Sequence, residues 1–314
     1  MTAYSVVMEA SQVLILLFAA PAFAGWVKTV KCRMQGRTYA GIFQPYRDIA
    51  KLFSKEVILA ENASWIFRAT PYIVFGVTVM IGGIIPLVCI DLPFAATADV
   101  IALVMLFAII RFFTALAGMD IGTAFGGMGS SREMTIASLA EPAMLMAIFT
   151  VSLAANSTSL TEMVRVMGHG AFILRPSLAF ALLAYIMVHL TETGRVPVDN
   201  PATHLELTMI HEAMVLEYSG RHLALIEWAG MMKLFIFSSL GIAVFCPWGI
   251  AASGDVFGML LGALLLAVKL GLLGLILVLI ETGLAKMRLF RLTEYLGSAF
   301  LLATLGMLSF FILE

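Results

Sequence analysis

The chain has 314 residues, a hydrophobic fraction of 61%, a charged fraction of 12% and a mean hydropathy of +1.00, which together exclude an ordinary water-soluble domain. Its formal net charge of −1 at pH 7 gives no indication of a nucleic-acid partner. Cys32, Cys89 and Cys246 lie far apart, so cysteine supplies neither an iron–sulfur motif nor a disulfide framework. We therefore expect an all-α, polytopic membrane protein that forms one integral membrane domain over residues 1–314.

Eight apolar segments are long enough to cross a bilayer, which takes roughly 20 residues of helix. The first segment lacks the basic start and the small-residue cleavage site of a signal peptide, so we expect it to be a retained helix. The predicted spans are approximately 5–27, 69–90, 98–118, 134–156, 173–190, 223–248, 258–280 and 295–313.

Lysine and arginine are concentrated on one side of these spans. The connections predicted at about 28–68, 119–133, 191–222 and 281–294 hold 14 of the 19 basic residues, whereas the opposite connections hold only two. Because loops rich in Lys and Arg stay in the cytoplasm, we expect these four loops to be cytoplasmic and both termini to face outward. The 14 residues are Lys28, Lys31, Arg33, Arg37, Arg47, Lys51, Lys55, Arg68, Arg132, Arg195, Arg221, Lys286, Arg288 and Arg291, and the two are Arg165 and Arg175.

An amphipathic helix is predicted directly after the first span, around "FQPYRDIAKLFSKE" at 43–56. At 100° per residue, its apolar and polar side chains fall on opposite faces, which is typical of a helix lying in the membrane interface. The predicted apolar face holds Ile42, Tyr46, Ile49, Phe53 and Val57, and the predicted polar face holds Gln44, Arg47, Asp48, Lys51 and Lys55. Glu56 breaks this pattern, because on a continuous helix it projects between Ile49 and Leu52.

Several ionisable residues fall within or at the ends of the predicted spans. A charge at the bilayer centre costs at least about 2.5–3.5 kcal/mol, so such residues usually face a protein or water-filled interior and carry function. A purely structural alternative stays open, in which pairs such as Arg111 and Glu141 lock helices together. The residues within spans are Glu9, Arg111, Glu141, Glu227, Lys233 and Lys269, and those at span ends, which could reach the interface by snorkelling, are Glu192 and Glu281.

Glu141 is predicted one to two turns inside the fourth span, next to Pro142. Proline removes a backbone donor, so a carbonyl in the preceding turn loses its amide partner. A free carbonyl and a carboxylate form a polar spot that can hold water and pass a proton. We expect Lys233 and Lys269 to continue this path toward neighbouring subunits.

The loop between the fifth and sixth spans is rich in carboxylates. Asp199 or Asn200 can cap a helix that Pro201 opens. If that helix runs unbroken to Tyr218, carboxylates share one face as the entrance of a proton path, because closely placed carboxylates raise each other's pKa. The carboxylates that share this face are Glu206 and Glu217, and Asp199 and Glu212 are further candidates for the proton path. The histidines on the other face, His204 and His211, lack the third ligand of a metal site.

Two other chemistries are excluded by their motifs. The glycine-rich stretch "GGMGSS" at 126–131 has no Lys-Ser/Thr pair after it and no strand before it, so it is not a phosphate-binding loop; we interpret it as a flexible turn. A haem b site needs facing histidines inside the spans, and only His189 lies near one.

Three stretches in order resemble the membrane component that docks the peripheral arm of respiratory complex I, known as its H subunit. The first is "GIFQPYRDIAKLFSKE", the second "GSSREMTIASLAEP" at 129–142, and the third "ETGRVPVD" at 192–199, followed by "LEL" at 205–207 and "LEYSG" at 216–220. The matching positions are Gln44, Pro45, Asp48, Lys51, Leu52, Lys55, Glu56, Arg132, Glu141, Glu192, Arg195, Pro197, Asp199, Glu206, Glu217 and Tyr218.

Departures from that pattern favour one branch of the family. Ala202 and His204 stand where the complex I protein carries additional carboxylates, and the first loop reads "QGRTYAGIFQ" in place of a "GPNxxGP" run. The chain is more similar to the homologous membrane component of energy-converting nickel–iron hydrogenases of the formate hydrogenlyase and hydrogenase-4 kind.

This resemblance implies a non-catalytic subunit in the inner membrane of a prokaryote. It would dock the soluble large and small hydrogenase subunits and couple their electron flow to H⁺ or Na⁺ movement in antiporter-like membrane partners. It would contact lipid and hold no cofactor itself, with nickel–iron and iron–sulfur centres in partner subunits. The docking residues that it implies are Gln44, Arg47, Asp48, Lys51, Lys55, Glu56, Arg132, Glu133 and Arg195.

Two alternatives remain open. Within the same fold, the chain could be a quinone-site-lining H subunit of an NADH:quinone oxidoreductase. From another class, it could be a free-standing secondary ion transporter, although the sequence shows no inverted repeat of the kind that many transporters use.

Overall fold

The computed structural model describes residues 3–38, 41–89, 98–169, 175–199, 209–250, 256–285, 287 and 291–313. Within these residues the secondary structure is helical, without any strand longer than an isolated bridge between Asp99 and Ser159. The helices are α1 (Ala3–Met34), α2 (Gln44–Phe53), α3 (Trp65–Ile84), α4 (Val100–Asp120), α5 (Ala124–Ala155), α6 (Leu160–His169), α7 (Pro176–Glu192), α8 (His211–Val215), α9 (Gly220–Phe245), α10 (Val256–Gly283) and α11 (Leu292–Leu313).

Seven of these helices are long and apolar enough to cross a membrane: α1, α3, α4, α5, α9, α10 and α11. The predicted fifth span corresponds to α7, a shorter apolar helix of 17 residues. All eight predicted spans are therefore helices of a multi-pass membrane protein, and the all-α prediction is confirmed. The bounds differ most at α5, which begins at Ala124 although the sequence suggested 134.

Capping side chains define several helix starts. Ser64 Oγ accepts a hydrogen bond from the Ile66 amide at 3.1 Å, Asp99 Oδ1 accepts from the Ile101 amide at 2.8 Å, and Thr123 Oγ1 accepts from the Gly126 amide at 3.3 Å. Each oxygen satisfies an amide that has no partner inside its own helix. α5 ends at Asn156, whose left-handed φ of 52° suits asparagine better than a bulkier residue.

The helices pack into one bundle around a continuous apolar core. On α1 a stripe of Leu16, Ala20, Phe23 and Val27, spaced three or four residues apart, is buried against the bundle. α11 packs on α5 and α7, α3 packs on α4 and α9, and α1 packs on α9 and α10. α10 and α11 are the least buried of the long helices and present leucine-rich outer faces.

The amphipathic helix is confirmed as α2, although it covers only residues 44–53. Pro45 and Ile49 are buried against the bundle, whereas Arg47 and Lys51 are exposed. α2 can lie close to α1 because Gly25 leaves room for the Ile42 carbonyl; a Cβ at Gly25 would stand 2.1 Å from that oxygen. The prediction for Glu56 was wrong, because the helix ends before it and its side chain is exposed.

The glycine-rich stretch at 126–131 is not a flexible turn but part of α5. Its small residues let α5 approach its neighbours: a Cβ at Gly126 would stand 2.1 Å from the Gly118 carbonyl of α4, and one at Gly129 would stand 2.9 Å from Ala213 Cβ of α8. Close packing of small residues stabilises this helix against the low helix propensity of glycine.

One further expectation about helices did not hold, and one helix was not anticipated. No helix runs unbroken to Tyr218, because α8 covers only His211–Val215 and α9 starts afresh at Gly220 with a φ of +54°. Asn200, Pro201 and His204 lie outside the described residues. α6, a ten-residue amphipathic helix between α5 and α7, was not predicted from the sequence.

Candidate functional site: a buried ion-pair network beside a polar cavity

Arg111 is the centre of a charged network buried among α4, α5 and α7. Its guanidinium lies 2.6 Å from Glu141 Oε1 and 2.7 Å from Glu192 Oε1, and its Nε lies 3.7 Å from Glu133 Oε1. Arg111, Glu133 and Glu192 are almost completely buried, and the Glu141 side chain is about one third exposed. The predicted Arg111–Glu141 contact is therefore present, within a larger group of three carboxylates.

Two more ionisable side chains extend the network. Lys233 of α9 lies 3.0 Å from Glu192 Oε2, and His211 of α8 lies 3.4 Å from Glu133 Oε2. Three carboxylates thus face two permanent cations, and a proton on His211 would bring the group to neutrality. Since an uncompensated charge in a buried site is costly, these side chains must stay close to mutual charge balance.

A second group of charges lies at the same end of the bundle. Glu281, at the end of α10, accepts a hydrogen bond from Arg195 at 2.6 Å, and its Oε2 lies 2.8 Å from Nζ of Lys31 of α1 in an ion pair. The Glu281 side chain is buried. The use of one carboxylate by two cations ties α1 and α10 to the segment after α7. This end of the bundle, which carries the 28–68 segment, is called the basic end below.

Two adjoining cavities separate these groups. The first has a volume of about 330 Å³ and is lined by Arg111, Glu133, His211, Glu212, Lys233 and the apolar side chains of α9. The second, of about 360 Å³, is lined by Lys28, Lys31, Asp199 and Glu281. Ala24, Thr193, Arg195 and Glu227 line both cavities.

The adjoining cavities give the charged side chains a shared, wettable space. A water occupies about 30 Å³ in the liquid, so each cavity has room for roughly ten waters. Water there would connect Glu227 and Glu212 with the Arg111 network through hydrogen bonds. Carboxylates that share such a space can exchange protons through its water.

The predicted path residues fall into three groups. Arg111, Glu141, Glu192 and Lys233 are in direct contact in the network, and Asp199, Glu212 and Glu227 line the cavities. Asp199 also accepts a hydrogen bond from the Ile210 amide at 3.3 Å. Glu217 is exposed, and Glu206 lies outside the described residues.

Lys269 is separate from this network. Its Nζ donates to the Cys246 carbonyl at 2.7 Å and also to the Trp248 carbonyl, both just beyond the end of α9. It therefore supplies donors for backbone carbonyls at the opposite end of the bundle. The structure does not place it in line with Lys233.

The residues assigned to docking are divided between the surface and the interior. Arg47, Asp48, Lys51, Lys55 and Glu56 are exposed, and Gln44 is half-buried with its amide 2.9 Å from Asp48 Oδ1. By contrast, Glu133 is buried beside Arg111, Arg195 pairs with Glu281, and Arg132 donates to the Met209 carbonyl at 2.9 Å. The burial of Glu133 removes it from the docking surface, whereas Arg132 and Arg195 are partly exposed and stay predicted docking residues.

The sequence reasoning missed several members of the site. His211 was considered only as a metal ligand or a surface histidine, and Lys31 only as part of the basic loop. Partners from helices distant in the chain leave no local signal. Among the described residues, no group of three or more His, Cys, Asp or Glu side chains has the spacing of a metal site.

Comparison with known proteins identifies the relatives of the chain. Residues 8–312 match the family described as NADH dehydrogenase. Formate hydrogenlyase subunit 4 of Escherichia coli (strain K12) is 32% identical over 285 residues, covering 91% of this chain and 92% of that protein. Hydrogenase-4 component C of the same organism is 32% identical over 306 residues, covering 96% and 95%.

More distant relatives share part of the sequence or only the fold. The H-type membrane protein of the Phocaeicola vulgatus NADH-quinone oxidoreductase is 25% identical over 217 residues, which cover 65% of this chain and 57% of that protein. A chain in the solved structure of an archaeal respiratory membrane complex, the membrane-bound sulfane sulfur reductase, superposes with a TM-score of 0.84 over 97% of this chain and 98% of its own, at 21% identity. That likeness establishes the same fold.

Proposed function

The chain belongs to the NADH dehydrogenase family, and from this premise we propose that it is the membrane anchor and coupling subunit of an energy-converting nickel–iron hydrogenase complex. In this proposal it docks a soluble redox module of large and small hydrogenase subunits. It links their electron transfer to H⁺ or Na⁺ movement through antiporter-like membrane partners. The nickel–iron and iron–sulfur centres belong to the partner subunits.

The observation that carries the coupling proposal is the buried network of Arg111 beside the cavities. Ionisable groups inside a bilayer are expensive, and three carboxylates in mutual reach of one guanidinium are retained only where their charge is used or fully balanced. His211, next to Glu133, adds an ionisable side chain at which that balance can change. A redox event at the basic end would alter that charge balance through the first cavity, which Glu133 lines.

The position of α2 supports the docking proposal. Arg47, Lys51 and Lys55 are exposed on or just after a helix that lies at the same end as the cavities. On the basis of the distribution of lysine and arginine, we place this end on the cytoplasmic side of a prokaryotic inner membrane and both termini on the outer side. A soluble module seated there would lie directly over the network.

Glu141→Gln tests the coupling. Glu141 is the most exposed carboxylate of the network, so a neutral, near-isosteric amide can keep its place beside Arg111 while removing its charge. We expect the complex to assemble and to react with artificial electron dyes, but to lose ion pumping into sealed vesicles. Assembled complex and ions moved per electron are measured on the same vesicles.

The structural alternative gives a different pattern in that experiment. If Glu141 only locks α4 to α5, Glu141→Gln reduces the amount of assembled complex, and the surviving complexes move a normal number of ions per electron. Glu217→Gln is the matched control, because Glu217 is exposed and lies outside the network.

Simultaneous charge reversal at Arg47, Lys51 and Lys55 tests the docking. Because all three side chains are exposed, we expect normal insertion of the chain but release of hydrogenase activity from the membranes into the soluble fraction. Charge reversal at Arg165 and Arg175, at the opposite end, is the control with the same kind of change. Full retention of membrane-bound activity by the triple variant would place the docking surface elsewhere.

A quinone-binding site is the second candidate function, and one observation favours it. The larger part of the first cavity wall is apolar and includes Val74, Ile226 and Leu234, which suits a ring as well as water. Reduction of an added short-chain quinone by the purified complex, abolished by Gly230→Leu in the cavity wall, would favour this candidate over the hydrogenase assignment.

A further inference from the structure

Two prolines inside long helices each leave one backbone carbonyl without its amide partner. In both cases an aromatic side chain from another part of the chain donates a hydrogen bond to that carbonyl. Pro21 in α1 has no amide to offer the Leu17 carbonyl, and the indole Nε1 of Trp228 donates to that oxygen at 3.1 Å. Pro71 in α3 likewise leaves the Phe67 carbonyl, which accepts from the Tyr218 hydroxyl at 3.0 Å. Trp228 lies on α9, and Tyr218 lies two residues before the first residue of α9.

The turn of α1 that Pro21 opens is a meeting point of four helices. Next to Leu17, the Phe18 carbonyl accepts a hydrogen bond from the Tyr46 hydroxyl of α2. The Trp228 ring meets Phe53 of α2 edge-on at a centroid distance of 6.4 Å and Phe75 of α3 at 5.3 Å. α1, α2, α3 and α9 are therefore in contact through one indole and one phenol.

The residue before Trp228 belongs to the functional site. Glu227 lines both cavities, and Lys28 of α1 and Asp48 of α2 act on it electrostatically. Consecutive residues of a helix move together, so the contacts of Trp228 determine where the Glu227 carboxylate stands relative to the cavities. Apolar packing alone allows a helix to slide or rotate, whereas a hydrogen bond to one carbonyl fixes its register.

We propose that Trp228 is a positioning residue for Glu227, acting through its hydrogen bond to the Leu17 carbonyl that Pro21 leaves open. The bond holds the α9 turn that carries Glu227 against α1, at the place where α2 is also attached. The inference rests on the proposed function, since it takes Glu227, which lines both cavities, as a carrier of protons between them.

Trp228→Phe tests the inference, because it keeps an aromatic ring against Phe53 and Phe75 but removes the N–H donor. Loss of one hydrogen bond corresponds to about a fivefold change in the ratio of the placed to the displaced carboxylate. We expect ions moved per electron in sealed vesicles to fall several-fold, with electron transfer to dyes retained. An unchanged ratio of ions to electrons in Trp228→Phe would overturn the inference.

Adding Pro21→Ala separates positioning from simple hydrogen-bond satisfaction. Alanine restores an amide that can fill the Leu17 carbonyl within α1, but it does not tie α9 to that carbonyl. We expect the double variant to regain the thermal stability of the complex while its ions per electron stay low. Recovery of both would mean that Trp228 only satisfies a carbonyl, and the positioning role would be lost.

Tyr218→Phe is the matched control. It removes a hydrogen bond of the same kind, to the Phe67 carbonyl of α3 that Pro71 leaves without an amide partner. Burial raises the pKa of the Tyr218 hydroxyl, so this hydroxyl stays a donor at ordinary pH in the native chain. We expect Tyr218→Phe to lower stability and keep ions per electron normal. An equal loss in both variants would indicate general loosening of α9 and would contradict a specific role for Trp228.

A measurement of position keeps this test independent of ion movement. In an assembled complex whose chain has Cys32, Cys89 and Cys246 replaced by serine, Glu227→Cys is labelled with a water-soluble maleimide, with and without Trp228→Phe. We expect the labelling rate to change by about fivefold, the factor for one hydrogen bond. An unchanged labelling rate overturns the positioning role. If the labelling rate changes but ion movement is normal in Glu141→Gln and Glu227→Gln, the proposed function is overturned and the positioning role remains.

Discussion

The two ends of the helix bundle use polar side chains in different ways. At the end opposite α2, Gln12 Nε2 donates to the Ile85 carbonyl at 2.7 Å, and Lys269 donates to the Cys246 carbonyl, so each side chain completes the end of a neighbouring helix. At the basic end, Arg111 pairs with both Glu133 and Glu192, and Arg111 and Glu133 line a cavity. An ionisable residue inside a span is therefore not by itself a sign of function.

Lys269 and the Arg111 network differ in the groups that they contact and in the volume of the cavity beside them. Lys269 donates to two backbone carbonyls, which cannot exchange a proton with it, and the cavity beside Lys269 has a volume of only about 10 Å³. The Arg111 network has carboxylates, a histidine, a second cation and a cavity of about 330 Å³. Variants at the two ends should accordingly fail in different ways.

The largest effect is expected from Arg111→Met. It leaves three carboxylates, of which Glu133 and Glu192 are buried, without their shared cation, and breaking a buried ion pair by removing one partner costs about 3–5 kcal/mol. We expect the variant to lose nearly all assembled complex, measured as the chain that co-purifies with its partners in mild detergent.

Adding Glu192→Gln to Arg111→Met sharpens this result. Removing one uncompensated charge should restore part of the assembled complex if electrostatic imbalance is the cause. Equal loss in the single and double variants would instead point to the packing of the arginine side chain.

Gly230→Leu should have an intermediate effect, on coupling rather than on assembly. Gly230 lines the first cavity, and a Cβ there meets no atom within 4 Å, so a larger side chain can enter the cavity without displacing backbone. We expect normal assembly with a clear fall in ions moved per electron, because the side chain displaces water between Glu227 and the network.

Gly76→Leu is the control for that variant. Gly76 of α3 is also exposed and free of close neighbours, but it does not line the cavity. Normal coupling in Gly230→Leu would show that water in this cavity is not needed.

The smallest effect is expected from Lys269→Met. It removes donors from the Cys246 and Trp248 carbonyls, and unsatisfied buried groups cost about 1–3 kcal/mol each, less where water can reach them. We expect a modest fall in the thermal stability of the complex and unchanged ions per electron. Lost ion movement at unchanged stability would return Lys269 to the path that the sequence suggested.

Much of the site could be anticipated from residue type and position. Arg111, Glu141, Glu192 and Lys233 were selected because charge inside a span is expensive, and the structure brings these four together. Glu133 was assigned to docking through the family resemblance, in a segment predicted to be a loop. In α5 its side chain points inward, and only the packing of glycine-rich turns against α4 and α8 makes that segment a helix.

The sequence by itself determined the membrane class, the number of spans, the basic end and the amphipathic α2, because hydropathy and charge act on each segment separately. The tertiary structure decided which charges meet. Glu281 binds Lys31 and Arg195, and Trp228 binds the Leu17 carbonyl, across 86 to 250 positions of the chain. Such contacts depend on how helices are placed side by side, and that placement follows from close packing of small residues and shared hydrogen bonds, which no local pattern encodes.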